Sequence, residues 1–110
     1  MPTPGDVILV PFAGANGVNE RPAVVVSSAL YHSCRPDVIV GLITSQVAKA
    51  TMPTDYVLQD WTAAGLNLPS AFRSNFMTLD AGVVLFQIGV LSVSDWAEVR
   101  ARLRLALAVT

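Results

Sequence analysis

Apolar positions in this chain come in short runs, each bounded by Gly, Pro, Asn or Asp. Asp6-Val7-Ile8-Leu9-Val10, Ala23 to Ser27 and Val38 to Thr44 are β-branched and apolar over a strand's length, which predicts three strands in the first half. Asp55-Tyr56-Val57-Leu58 predicts a shorter fourth strand, and Asp60 to Gly65 one helical turn stopped by Gly65. Leu68-Pro69-Ser70 then turns the chain toward a fifth strand near Phe72 to Leu79. From Val83 to Val93 the residues Val84, Phe86, Ile88 and Val90 share one parity, with Gly89 marking a bend or bulge, so this stretch predicts one long, curving strand.

The periodicity changes after that. Trp96, Val99, Leu103 and Leu107 recur at spacings of three and four, the pattern of an amphipathic helix. Ser94 is the expected N-cap, with Asp95 and Glu98 where the positive end of the helix dipole favours them. Arg100, Arg102 and Arg104 fan over the remaining faces and read as a solvated surface. Many short strands around one terminal helix, without strand–helix alternation, predict a mainly β fold, a small antiparallel barrel or sandwich. The length of 110 residues fits a single domain, 1–110.

Composition adds a partner. Charged residues make up 14% and hydrophobic ones 53%, against a usual charged share of about 25%. So little polar surface points to an oligomer, a homodimer by default. No apolar run reaches the roughly 18 residues of a membrane helix, and the N-terminus lacks a signal-peptide layout, so no membrane and a cytoplasmic location are expected. The lone Cys34 excludes an internal disulfide, and His32-Ser33-Cys34, read as a loop, offers two metal ligands at most. No metal or other cofactor is expected. A net charge of −1 argues against binding nucleic acid by bulk attraction but leaves room for a few arginines in one pocket.

The usual hydrolase constellations are absent: there is one histidine, no Gly-x-Ser-x-Gly and no His-Glu-x-x-His. Three polar clusters remain at predicted strand ends: Arg21-Pro22, Thr44-Ser45-Gln46 and Arg73-Ser74-Asn75. Folded together, their guanidinium, hydroxyl and amide groups suit a phosphodiester. Each also has a plainer reading. Arg21 can protect a strand edge, the Thr44 and Ser45 hydroxyls can satisfy turn amides, and Arg73 can be a surface strand residue.

The order and spacing of these pieces resemble the MazF/PemK (Kid-like) toxins of type II toxin-antitoxin systems. Gly5 to Phe12 looks like that family's opening strand, Arg21-Pro22-Ala23-Val24-Val25 its second, and Ile43-Thr44-Ser45-Gln46 the end of its third. Trp61 to Gly65, Leu66, Pro69-Ser70, Phe72-Arg73, Thr78-Leu79 and Ile88-Gly89 continue the match.

The resemblance implies an SH3-like antiparallel barrel with a C-terminal helix. It also implies a homodimer neutralised by a cognate antitoxin, and a sequence-specific, metal-independent endoribonuclease of single-stranded RNA that leaves 2′,3′-cyclic phosphate and 5′-OH ends. In its terms Arg21, Thr44 and Arg73 are catalytic: Arg21 stabilises the developing phosphorane charge, Thr44 bonds the scissile phosphate, and Arg73 holds the phosphate or moves a proton. Asn75 stands where some members carry an acid, and an amide is no general base. Glu20 is then the remaining base candidate, or a solvated loop carboxylate. Candidate RNA-binding residues are Phe12, Asn16, Asn19, Glu20, Ser45, Gln46 and Asn75. Two other classes stay open: an inactive barrel that binds single-stranded RNA or a peptide through the same groove, and a dimeric structural adaptor.

Overall fold

Apolar runs without strict alternation need a sheet covered on both faces, and the structure supplies one. The computed structural model describes residues 2–14, 17–84 and 86–109. Strands β1 (Asp6–Gly14) and β2 (Gly17–Val25) form a hairpin whose register runs from Val7↔Val24 out to Gly14↔Gly17. Both strands are longer than expected. Gly17 to Glu20 lacks a β-branched run and Pro22 looks like a breaker, yet Pro22 is tolerated because the ladder to β3 (Asp37–Thr44) covers only Ala23 to Val25. Arg21 therefore sits in the middle of a strand, not where a loop meets one.

The segment read as a loop around His32 is helix α1 (Ala29–Cys34), capped by Ser28, whose Oγ accepts the Tyr31 N–H at 3.1 Å. His32 turns inward, with Nε2 2.5 Å from Ser27 Oγ, while Cys34 is exposed. β4 (Tyr56–Val57) and β5 (Ala71–Asp80) follow close to expectation. The long strand expected from Val83 to Val93 is broken instead. A 3-10 turn at Ala81–Val83, capped by Asp80, precedes the short β6 (Phe86–Val90). A bulge does occur beside Gly89: Val7 pairs with Gly89 and Ile8 with Gln87, leaving Ile88 as the extra residue.

Helix α2 (Val93–Ala106) starts two residues earlier than expected. Its N-cap is Ser92, not Ser94, and Ser92 Oγ accepts the Asp95 N–H at 3.1 Å. Leu107 lies just past the helix and is exposed.

The strands pair antiparallel in the order β4-β5-β3-β2-β1-β6. Val7, Val24, Ile43, Phe72 and Val99 form the core on the helix side. Ile8, Val10, Ala23, Val25, Val38 and Val40 form the core on the other side. Each fully buried valine, isoleucine or phenylalanine among them is worth about 1.5–3 kcal/mol.

The turn at residues 61–65, which follows edge strand β4, packs against the other edge strand, β6. A Cβ on Gly89 would stand 2.2 Å from the Ala64 carbonyl oxygen. One on Gly65, whose φ is +86°, would stand 2.5 Å from the Ile88 carbonyl oxygen. Two glycines thus let the turn close the half-barrel that strand pairing leaves open. No helix among the described residues is long and apolar enough to cross a membrane.

Candidate active site

The groove opens where β2 and β3 part. Their ladder ends at Ala23↔Leu42, although both strands continue. Pro22, with no N–H, cannot extend the ladder. Two steps beyond the last pair stand Arg21 on β2 and Thr44 on β3, and both border a groove of about 670 Å³. Its floor is a cross-strand row, because Leu9 pairs with Pro22 on one side and Phe86 on the other, and paired residues point to the same face. The turn from Gly65 to Leu68 and the segment from Thr44 to Gln46 also line the groove.

Arg21 reaches the groove from its rim. It pairs with Val10, so it shares a face with Phe12, and its guanidinium carbon lies 5.4 Å from the Phe12 ring centroid. That stacking steadies the side chain without using its N–H donors. Among the described residues Arg21 makes no ion pair, whereas Arg35, Arg73 and Arg102 each hold a carboxylate. Thr44 is buried at a strand end, and its Oγ1 accepts the Gln46 N–H at 3.1 Å. That bond uses the oxygen as an acceptor and leaves the hydroxyl proton to donate. A guanidinium and a hydroxyl across one opening make an anion site.

The expected convergence is thus partial. Arg21, Thr44, Ser45 and Gln46 line the groove together. Arg73, Asn75, Phe12, Asn19 and Glu20 are not among its lining residues. Phe12 supports Arg21, while Asn19 and Glu20 are exposed on β2. Asn16 lies outside the described residues.

Arg73 is engaged elsewhere. Its Nε lies 3.4 Å from Oδ2 of Asp55, whose side chain is only 3% exposed. Asp55 also accepts the Met52 N–H at 3.2 Å and the Ser74 N–H at 3.3 Å. The carboxylate beside Arg73 thus comes from just before β4 and not from position 75. Nothing in local spacing reveals a pair eighteen residues apart, although Asp55 and Arg73 fall opposite each other once Tyr56↔Phe72 sets the register. Among the described residues no group of three or more His, Cys, Asp or Glu side chains is placed to hold a metal ion.

Comparison with known proteins decides the family. Residues 3–107 match the model of the PemK-like, MazF-like toxin of type II toxin-antitoxin systems. The chain belongs to this toxin family.

Several solved structures share the toxin's fold. A mycobacterial endoribonuclease in complex with its cognate antitoxin is similar at a TM-score of 0.80 and 18% identity, over 100% of this chain and 98% of that one. MazE-MazF (Form-III) from Deinococcus radiodurans follows at 0.77 and 24%, over 99% and 98%. The Mycobacterium tuberculosis toxin MazF-mt6 gives 0.76 and 20%, over 96% and 98%. At these identities the likeness establishes the antiparallel half-barrel with its terminal helix. No curated protein sequence matches the toxin closely.

The toxin's groove also contains residues that sequence reasoning passed over. Asn67, Leu68 and Phe86 line it. In the sequence Phe86 shows only as part of a strand's alternation.

Proposed function

We propose that this toxin is a sequence-specific endoribonuclease that cuts single-stranded RNA in the cytoplasm as a homodimer and is held inactive by a cognate antitoxin. The observation that carries this reading is that Arg21 and Thr44, each two residues past the end of the β2–β3 ladder, line one groove in a member of this family. The endoribonuclease named among the similar structures supports it. So do exposed apolar side chains such as Val93, Leu105 and Val109, which leave surface for protein partners.

In the proposed reaction the ribose 2′-OH attacks the adjacent phosphorus. A 2′-O–P bond forms and the P–O5′ bond breaks, giving a 2′,3′-cyclic phosphate and a 5′-OH; DNA, without the 2′-OH, is not cut. Arg21 stabilises the charge on the phosphoryl oxygens as it develops and gives the leaving 5′ oxygen its proton. Thr44 donates to a phosphate oxygen, and Ser45 and Gln46 hold the strand beside it. Glu20 shares Pro22's face of β2 and serves as the general base that takes the 2′ proton. Arg73, tied to Asp55, holds the strand from outside the groove. The chemistry uses no metal.

The test is digestion of a long mixed-sequence RNA by the antitoxin-free protein in EDTA, beside Arg21→Ala, with mapping of new 5′ ends. Discrete cuts with cyclic-phosphate ends that vanish in the variant are expected. Arg73's engagement with Asp55 favours a second reading, a barrel that binds RNA without cutting it. Binding of single-stranded RNA with no product over hours would establish that reading instead.

A further inference from the structure

We propose that Phe86 is the stacking platform for one base of the bound RNA, and that Asn67 reads that base's edge. This rests on the groove being the RNA site. Three observations place the platform. Phe86 lines the groove and keeps 58% of its surface exposed. It lies in the floor row Pro22–Leu9–Phe86, so the chain step from Pro22 to Arg21 ties it to the anion end. The row crosses two interstrand spacings, about 10 Å in all, the reach of one nucleotide from its phosphate to the far edge of its base.

The surroundings match a base better than a phosphate. Leu66, Leu68 and Ile88 line the groove with Phe86, and Gly65, just before Leu66, packs against Ile88 on Phe86's own strand, while Arg21 belongs to β2, two strands away. A phenyl face flanked by aliphatic side chains offers any base a π-surface, because every base has one. Phe86 alone therefore gives affinity without choosing a sequence. Asn67, exposed on the wall between Leu66 and Leu68, adds a donor and an acceptor on one short side chain. Beside an apolar enclosure an unmatched base edge is left without a partner, so an amide there discriminates.

The occupant is an RNA base rather than an apolar peptide side chain because Arg21, one chain step past Pro22 at the end of the floor row, and Thr44 line the same groove. A phosphate attached to the stacked base meets both. A peptide side chain in the same place leaves them unmatched.

The experiment uses the full chain, the mixed-sequence RNA and a fluorescent oligonucleotide spanning one mapped cut. Phe86→Ala is expected to raise KM and the oligonucleotide Kd about tenfold to a hundredfold. Phe86→Trp, which keeps a ring, is expected to restore both, and Phe86→Leu, which keeps bulk without a ring, is not. Asn67→Ala is expected to broaden the set of cut sites.

Wild-type cleavage with KM, Kd and cut map unchanged in Phe86→Ala would overturn the platform and leave the ribonuclease standing. Equal recovery by Phe86→Leu and Phe86→Trp would show a packing role and overturn it as well. If wild type binds without cutting, the Kd series still decides the platform. If wild type neither binds nor cuts, the functional reading falls first and this inference with it.

Discussion

Two polar regions of this toxin differ in what their groups are doing. Beneath α2, Asp95 is fully buried, and its carboxylate accepts the Tyr56 hydroxyl at 2.7 Å, the Gln59 N–H at 3.1 Å and the Asp60 N–H at 2.8 Å. Asp60 in turn accepts the Ser92 hydroxyl at 2.7 Å, closing the network on the helix cap. At the groove, Arg21 has an aromatic ring for support and no carboxylate among the described residues, and the Thr44 oxygen accepts one backbone N–H. The first region consumes its hydrogen-bonding capacity in holding α2 to the segment after β4. The second leaves donors facing open space. Unspent donors beside a groove are what a phosphodiester needs, and spent ones are what a fold needs.

The sharpest way to break the comparison is to exchange the effects. Arg21→Ala is expected to lower the cleavage rate about a hundredfold to a thousandfold, near 3–4 kcal/mol of transition-state stabilisation, with the denaturant midpoint unchanged. Asp95→Ala is expected to do the reverse. It leaves three donors facing a cavity, so equilibrium unfolding should show a loss of about 3 kcal/mol or more, while molecules still folded cut RNA at the normal rate. An Asp95→Ala protein of full stability would show that the helix is held by its apolar face alone.

Smaller changes sharpen the contrast. Thr44→Val keeps the shape and removes the hydroxyl, and should slow single-turnover cleavage about tenfold, or roughly 1.4 kcal/mol, with a stability loss of about 1 kcal/mol because the Gln46 N–H loses its acceptor. Tyr56→Phe should cost about 1 kcal/mol of stability and leave cleavage alone.

Tyr56 also predicts a pH effect. Burial, then its bond to the Asp95 carboxylate, hold its phenol well above the ordinary tyrosine range. The folded state therefore keeps a proton that the unfolded state loses near pH 10. The stability that this proton contributes is full below about pH 10 and fades as pH rises toward the folded value. Unfolding titrations should show this fall in wild type and a weaker one in Tyr56→Phe.

The parts of the molecule that could be read from its sequence are those whose signals are local. Val38 to Thr44 announces itself by its β-branched and apolar residues, the strand expected near Phe72 to Leu79 is found at Ala71–Asp80, and Gly65 marks a turn end that its φ of +86° bears out. β2 was read too short because Pro22 lies in its interior, and only the ending of the β3 ladder explains why a proline is harmless there. α1 escaped notice because six residues are too few for a helical period to show. Ser92 and Ser94 are both credible caps and both hydroxyls reach Asp60, but it is Ser92 that accepts the Asp95 N–H. In the site, Arg21 and Thr44 were legible by type and position. Asp55 beside Arg73, and Phe86 beside Leu9, required register between strands far apart in the chain.

The most direct test of this division is to measure the EDTA-buffered cleavage rate and the denaturant midpoint on the same preparations of wild type, Arg21→Ala and Tyr56→Phe. The account predicts a crossed result: Arg21→Ala loses cleavage at an unchanged midpoint, and Tyr56→Phe keeps cleavage at a lowered one. An Arg21→Ala protein that is folded and cuts RNA at the wild-type rate would contradict it.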